Sequence, residues 1–348
     1  MNNRERSYQK LVVTGINTEV PGVVTIFVTW QDGSEVTFDA GQFLTLVFSV
    51  YGREERRSFS ISSTPGQRLA FTVKRIDNGA YSRWLTDKLQ VGDVLDTTGV
   101  AGLFTLPRDI SHTDQLWFFA AGIGITPVIS LVETALRQYP DKTVTLIYSN
   151  RSNGEAVFAD RIEKLKAAYP GQFEVEWLFS NAQQLDRSRL NKALVRVLLN
   201  EYSQTEKDRM LFYTCGPHDY MRMVIYALEE SGVSSDQIRR EHFNMNARPQ
   251  VVATPPDTDA HLVTIITDAE QHTITCTYPD TILKAAKKAG IALPYSCEAG
   301  RCGSCAARCT SGKVWHEYNE VLMDMDLQHG SILTCTGYPI GGDITIEV

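Results

Sequence analysis

The sequence predicts a multi-domain fold: an antiparallel β-barrel, then an α/β doubly wound domain, then a small α+β unit around a cysteine-rich loop. Three observations carry this. Residues 8–106 hold short β-branched runs split by turns at the spacing of a barrel. From Gln115 strands alternate with helix-length stretches, the pattern of a parallel sheet covered on both faces. Five of the seven cysteines fall between Cys297 and Cys335.

The barrel runs are LVVTGI, GVVTIFVTW, FLTLVFSV, LAFTVKRI and DVLDTTGV, with turns at Asp32-Gly33, Pro65-Gly66, Asn78-Gly79 and Gly92-Asp93. In the second unit QLWFFAAG, TVTLIYS, FEVEWLFS and RMLFYTCG read as strands, and residues 127–139, 155–168, 190–202 and 218–231 as helices. Residues 245–260 hold three prolines and show no strand or helix period, so they read as a linker. Beyond them come the strands LVTIIT and HTITCTY, a helix over 281–289, the cysteine loop and a closing strand pair, ILTCTGYP and DITIEV. The expected boundaries are 1–108, 109–245, a linker at 246–260, and 261–348.

A chain of 348 residues with 43% hydrophobic and 22% charged content has ample material for ordinary cores. A net charge of −7 argues against a nucleic-acid surface, which needs a clustered basic footprint. The polar start and the interrupted apolar run after it read as neither a signal peptide nor a membrane span, so a cytoplasmic location is expected; a monomer is expected as well. Reduced thiols in that compartment point to metal ligation rather than disulfides.

Cys297, Cys302 and Cys305 are spaced C-x4-C-x2-C, and Cys335 follows later, the plant-type arrangement for a 2Fe–2S cluster. Ala299, Gly300, Gly303 and Ser304 are small enough to bring backbone N–H groups close to the sulfurs. A structural zinc site favours two C-x2-C knuckles, and only one such pair is present. Cys276, in an alternating strand, reads as a buried small hydrophobe, and Cys309 as structural. Glu317, Glu320, Asp324 and Asp326 precede the fourth ligand and could form a docking face for a basic acceptor.

Three further motifs stand upstream. The first is Arg57-Ser58-Phe59-Ser60-Ile61-Ser62-Ser63. The second runs from Val73-Lys74-Arg75 to Gly79-Ala80-Tyr81-Ser82, where Ser82 could cap a short helix starting near Arg83 and make an anion site. The third is Gly122-Ile123-Gly124-Ile125-Thr126-Pro127 between strand and helix, matched by Cys215-Gly216-Pro217 at a later strand end.

On these motifs residues 1–245 resemble the ferredoxin–NADP(H) reductase family. The whole chain resembles the iron–sulfur flavoprotein reductases of bacterial oxygenases, such as the phenylacetyl-CoA epoxidase reductase, and of the hybrid-cluster protein. The resemblance implies a β-grasp ferredoxin domain at the C-terminus and FAD, a nicotinamide and a 2Fe–2S cluster as cofactors. It gives Arg57 to a flavin phosphate, Phe59 to the isoalloxazine face and Ser60 to the flavin N5. Ser58, Val73, Lys74, Gly79, Tyr81 and Ser82 complete the flavin site. Gly122, Gly124, Thr126, Pro127, Cys215, Gly216 and Pro217 hold the nicotinamide, with Cys215 beside the hydride path. Phe59 departs from the family's tyrosine, keeping the stacking face and losing a phenolic hydrogen bond. Ser180-Asn181 stands where NADPH users often place Ser-Arg, which favours NADH; Arg187, Arg189 and Arg151 are nearby cations that could take the arginine's place. The implied partner is an electron acceptor: an oxygenase, hydroxylase or desaturase, or else the hybrid-cluster protein. A redox-sensing module holding the same cofactors without turnover is the other class of reading.

Overall fold

In the computed structural model, residues 8–50, 53–183, 185–243, 253–267 and 270–348 are described. The chain divides into two compact units, up to Arg240 and from Glu241.

The first unit opens with β1 (Gln9–Val20), β2 (Val23–Trp30), β3 (Phe43–Val50), β4 (Arg53–Ser60), β5 (Ala70–Lys74), α1 (Ala80–Asp87) and β6 (Val94–Ala101). The six strands form one antiparallel sheet in the order β4-β3-β6-β1-β2-β5, and a bridge between Ile61 and Phe71 joins its two edges into a barrel. Leu11, Ile26, Leu44, Leu46 and Phe71 fill its interior, fully buried. Strand β4 has no counterpart in the sequence reading. Its residues REERRSFS are highly charged with little β-branching, and it forms because β3 offers eight residues of register to pair with it.

The chain continues with β7 (Gln115–Ala121), α2 (Ile125–Gln138), β8 (Thr143–Asn150), α3 (Ala159–Ala168), β9 (Phe173–Phe179), α4 (Lys192–Tyr202), β10 (Met210–Cys215), α5 (His218–Glu230) and β11 (Ile238–Glu241). The sheet order is β11-β10-β7-β8-β9, with β10, β7, β8 and β9 parallel. Trp117, Phe118, Phe119 and Phe212 are wholly buried, each side chain contributing roughly 1.5–3 kcal/mol of transfer free energy. One core joins α2, α3 and the sheet to Val23, Ala40, Phe104 and Ile110 of the barrel side. A second core lies under α4 and α5. The helix expected over 155–168 is shorter than its pattern: a 3-10 turn at Asn153–Glu155 comes first, and Phe158, at φ +64°, delays α3 to Ala159. Asn191 caps α4 by accepting a bond from the Leu194 N–H at 3.0 Å.

The second unit contains β12 (His261–Ile266), β13 (Gln271–Cys276), α6 (Ile282–Lys288), β14 (Ala306–Ser311), β15 (Val314–His316), α7 (Asp324–Gln328), β16 (Ser331–Leu333), β17 (Gly337–Pro339) and β18 (Ile344–Glu347). Its mixed sheet runs β13-β12-β18-β14-β16, with β12 and β18 parallel and β15 paired to β17 alongside. This is the expected β-grasp, with one correction. ILTCTGYP is not a single strand: it breaks at Thr334–Thr336 so that Cys335 turns toward the cysteine loop, and its halves pair with different partners, β14 and β15. Residues 246–252 of the expected linker lie outside the described residues. From Asp257 onward the chain is fastened down. The Asp257 carboxylate accepts bonds from the N–H groups of Gly341 (2.6 Å) and Asp259 (2.9 Å) and from His261 (2.8 Å).

Candidate functional site

At the barrel end, Arg57, Ser58, Phe59 and Ser60 occupy the last four positions of β4. The Arg57 guanidinium is half-exposed, lies 4.7 Å over the Tyr81 ring and pairs with Glu55 at 2.6 Å. An exposed pair of this kind contributes little, so the guanidinium can exchange Glu55 for a phosphate at small cost. Phe59 leans on Phe71 at 5.6 Å and is only partly buried, and Ser60 is buried at the strand end. Ser58 lies on the face opposite Phe59, sharing a hydrogen bond with Thr45 across the pair with β3.

The second motif needs a correction. Ser82 is not a cap. Helix α1 starts at Ala80 with Gly79 before it, and Ser82 sits in the first turn, where its hydroxyl accepts from the Ile76 N–H and donates to the Gly79 carbonyl, both at 3.1 Å. Ser82 thus shapes the turn, and a Cβ on Gly79 would overlap its oxygen. Because Gly79 supplies no side-chain cap, the first-turn N–H groups remain available to an anion. The expected anion site would then lie one turn earlier, next to Tyr81. Val73 is buried and Lys74 exposed at the end of β5.

In the nicotinamide half, Gly122 has φ +53° and nothing stands within 4 Å of where its Cβ would be, a cradle open to a ligand's backbone. A Cβ on Gly124 would instead overlap the Cys215 carbonyl, and one on Gly216 would press on Ala121 at 2.9 Å. The two loops therefore meet backbone to backbone. Thr126 is buried with its hydroxyl bonded to the Ile123 carbonyl at 3.0 Å, and Pro127 lies in the first turn of α2. The Cys215 side chain is fully buried, so what it brings to the junction is its carbonyl.

At the rim, the Ser180 N–H bonds the Asn150 carbonyl at 3.0 Å and the Asn181 N–H bonds the Arg151 carbonyl at 3.1 Å. Arg187 is engaged elsewhere: Glu176 (2.9 Å) and Glu201 (2.5 Å) both hold it and keep it protonated. Its charge is already matched by two carboxylates, whereas Arg151 is exposed beside Asn181.

In the second unit the four cysteines form two pairs. Cys297 hydrogen-bonds Cys302, Cys305 hydrogen-bonds Cys335, and Cys302 lies close enough to act electrostatically on Cys305. The hydrogen bond with Cys302 brings the Cys297 thiol down to about 6 against the effect of burial, helped by the N–H groups of Arg301, Ala299 and Cys302. Ala299 and Ser304 direct their N–H groups at Cys297 and Cys302, both at 3.4 Å. Positive φ at Glu298 (51°), Gly300 (70°) and Gly303 (73°) curls this loop around the sulfurs. Among the described residues no three ligating side chains converge on one ion. Two adjacent cysteine pairs with backbone N–H donors aimed at their sulfurs suit two bridged irons. Cys276 is buried, as expected, and Cys309 bonds the Ser311 carbonyl away from the cluster loop.

The fold does not present the four acidic residues as a docking face. Glu320 is largely buried and pairs with Arg301 at 3.1 Å, Glu317 accepts from the Tyr338 hydroxyl, and Asp326 accepts from the Met323 N–H. Asp324 alone of the four stays exposed.

Three family models match in series: an oxidoreductase FAD-binding domain over residues 23–106, an oxidoreductase NAD-binding domain over 118–225 and a 2Fe-2S iron-sulfur cluster binding domain over 265–339. One component of the 1,2-phenylacetyl-CoA epoxidase of Escherichia coli is 30% identical over 98% of both chains. The chain belongs to the iron–sulfur flavoprotein reductases. The ferredoxin reductase component of the 3-ketosteroid-9-alpha-monooxygenase of Rhodococcus rhodochrous is 33% identical over 88% of this chain and 87% of that one. Phthalate dioxygenase reductase shares the fold along the whole of both chains, with a TM-score of 0.59 at 20% identity. A self-sufficient cytochrome P450 monooxygenase shares it over 98% of this chain and 41% of its own, with a TM-score of 0.70. This reductase is thus an NAD(P)H-dependent oxidoreductase that uses FAD and a 2Fe–2S cluster.

Sequence reasoning missed residues that join the two halves of the reductase's first unit: Ser130, Glu133 and Arg161. The one available signal was Glu133, a lone carboxylate inside the apolar helix ITPVISLVETALRQ, where the sequence gives no partner.

Proposed function

We propose that NADH is the electron source of this monomeric reductase and an oxygenase component its acceptor. The flavin region spans 1–108, the nicotinamide region 109–245, and the ferredoxin region 261–348 after a linker at 246–260. When bound, the cofactors supply the redox chemistry: two electrons as hydride from nicotinamide to flavin, then single electrons to the cluster.

The chain's own residues bind and orient. Arg57 and the first turn of α1 would hold the FAD phosphates, with Lys74 and Tyr81 beside them. Phe59 would lie along the ring and Ser60 would place a hydroxyl at its reacting edge. Gly122 would admit the nucleotide backbone to the N-terminus of α2, while Gly124, Cys215, Gly216 and Pro217 set the floor beneath the nicotinamide. The observation that carries this reading is the backbone contact between the Gly124 and Cys215 loops, which builds one ledge from two distant segments. The neutralised Arg187 supports NADH. The oxygenase acceptor rests on the relatives, whose names include a monooxygenase and an epoxidase component.

Stopped-flow mixing with NADH and, separately, NADPH tests the donor half. Flavin bleaching should be fast with NADH and slower with NADPH; no bleaching with either leaves a sensing module instead. Capture of bound proteins by the purified reductase, followed by reconstituted turnover, tests the acceptor, and recovery of the hybrid-cluster protein in place of an oxygenase overturns it.

A further inference from the structure

Immediately after Ser60 the chain passes through Ser62, Ser63 and Thr64, and each of these is tied to the nicotinamide half. The Ser62 carbonyl accepts from Arg161 Nη1 at 2.9 Å, the Ser63 carbonyl accepts from the Ser130 hydroxyl at 2.6 Å, and the Thr64 hydroxyl donates to Glu133. The remaining Arg161 donors close on Glu133 in a two-pronged pair, Nε to Oε1 and Nη2 to Oε2, both at 2.8 Å. The Glu133 side chain is 7% exposed and that of Arg161 29%. Burial alone would raise the Glu133 carboxyl; Arg161 and Thr64 reverse this and hold it below its ordinary value. Ser130 and Glu133 stand one turn apart on α2, the helix that the Gly122–Pro127 loop leads into. A single helix therefore carries the nicotinamide loop at its start and grips the end of the flavin strand along its flank.

The shared apolar core would keep the two halves together without this cluster, because hydrophobic contact is strong but non-directional. A buried ion pair adds little net stability over a well-packed apolar pair. What a two-pronged arginine–carboxylate pair adds is fixed geometry. We propose that Glu133 and Arg161 are positioning residues for hydride transfer, setting the separation between the strand end bearing Ser60 and the helix that receives the nicotinamide. The inference rests on the reading that nicotinamide and flavin meet between these two elements. A cleft of about 1190 Å³ opens onto the pair itself and onto Ser62 and Ser63, walled by Phe27, Phe158 and Trp177 among others; neither Ser60 nor the Gly122–Pro127 loop lines it. Water in that cleft would compete for the loop's carbonyls once the pair is broken.

Glu133→Gln keeps the shape and removes the charge; Arg161→Lys keeps the charge and loses the fork. Both are expected to retain full FAD and cluster absorbance. The rate of flavin reduction by saturating NADH should fall about 10- to 100-fold, as small misplacements of reacting groups do, with KM little changed. The long-wavelength charge-transfer band of NAD⁺ with the reduced flavin should weaken, and amide exchange over residues 61–64 should quicken. Ser130→Ala, which removes one bond and no charge, should show the same signs to a smaller degree and carries the test if a charged variant loses FAD. Wild-type reduction rate, band and exchange in variants with full cofactor content overturn the proposal. Absence of bleaching in the unmodified protein instead overturns the donor reading itself, so the two failures are distinct.

Discussion

At Gly124 the backbone has φ −61°, a conformation open to any residue, and yet a Cβ would overlap the Cys215 carbonyl and approach Gly216 N at 2.8 Å. The constraint is space. Gly124→Ala must push the two nicotinamide loops apart, since no flexible side chain is there to yield. The expected result is a KM for NADH raised tenfold or more with FAD content unchanged, measured by steady-state reduction of ferricyanide; an unchanged KM would mean that the ledge is not where the nucleotide lies. Gly122 is the opposite case, with a positive φ and open surroundings, so its demand is conformational. The sequence pattern G-x-G shows both glycines and cannot tell these reasons apart. It likewise shows Ser82 as a capping residue type, whereas in the fold its hydroxyl already serves Ile76 and Gly79.

Among the elements, β15 and β16 belong to different sheets, and His316 links them: its Nε2 accepts from the Leu333 N–H at 2.9 Å, two residues before the proposed ligand Cys335. Burial lowers the imidazole from 6.5 to about 4. Between those values the unfolded chain binds the proton more readily than the folded one, so stability is fully present above pH 6.5 and is lost as pH falls toward 4. At about 1.4 kcal/mol per pH unit, roughly 2 kcal/mol should be gone at pH 5 compared with pH 7. Urea titrations followed by cluster absorbance at the two pH values should show this difference, and His316→Gln, which keeps an acceptor without the titration, should largely abolish it. Elements of this kind divide by their legibility. Strands β7, β8 and β10 were plain because burial on both faces writes itself as continuous apolar runs. Strand β4 was hidden because its pairing, and not its composition, makes it a strand, and α3 was overestimated because the left-handed turn at Phe158 leaves no mark on helical periodicity.

For the molecule as a whole, the cluster and the flavin motifs belong to separate compact units. No helix among the described residues is long and apolar enough to cross a membrane. Separate cores imply separable losses. Cys335→Ser should abolish the visible absorbance and electron paramagnetic resonance signal of the cluster while sparing flavin reduction by NADH, and Cys309→Ser should leave both intact. Loss of the cluster signal in Cys309→Ser would show that the ligand set is misassigned. The order of the three domains was legible because each announces itself by a local signature: barrel-spaced turns, strand–helix alternation, clustered cysteines. The grip of α2 and α3 on residues 62–64 was not, because it joins residues nearly 70 to 100 positions apart, two of the three bonds through carbonyls that have no sequence identity.

The rim of the nicotinamide region is stitched by two main-chain hydrogen bonds, Ser180 to Asn150 and Asn181 to Arg151. A seam made of peptide groups holds its shape whatever side chains project from it. Residues 151 and 181 can therefore be exchanged, in evolution or by design, without disturbing the ledge at Gly124 and Cys215 where the hydride would leave. On the proposed site, coenzyme preference and transfer geometry would lie in separate layers of the same domain, so that a lineage could switch its choice of reductant while its chemistry stood still.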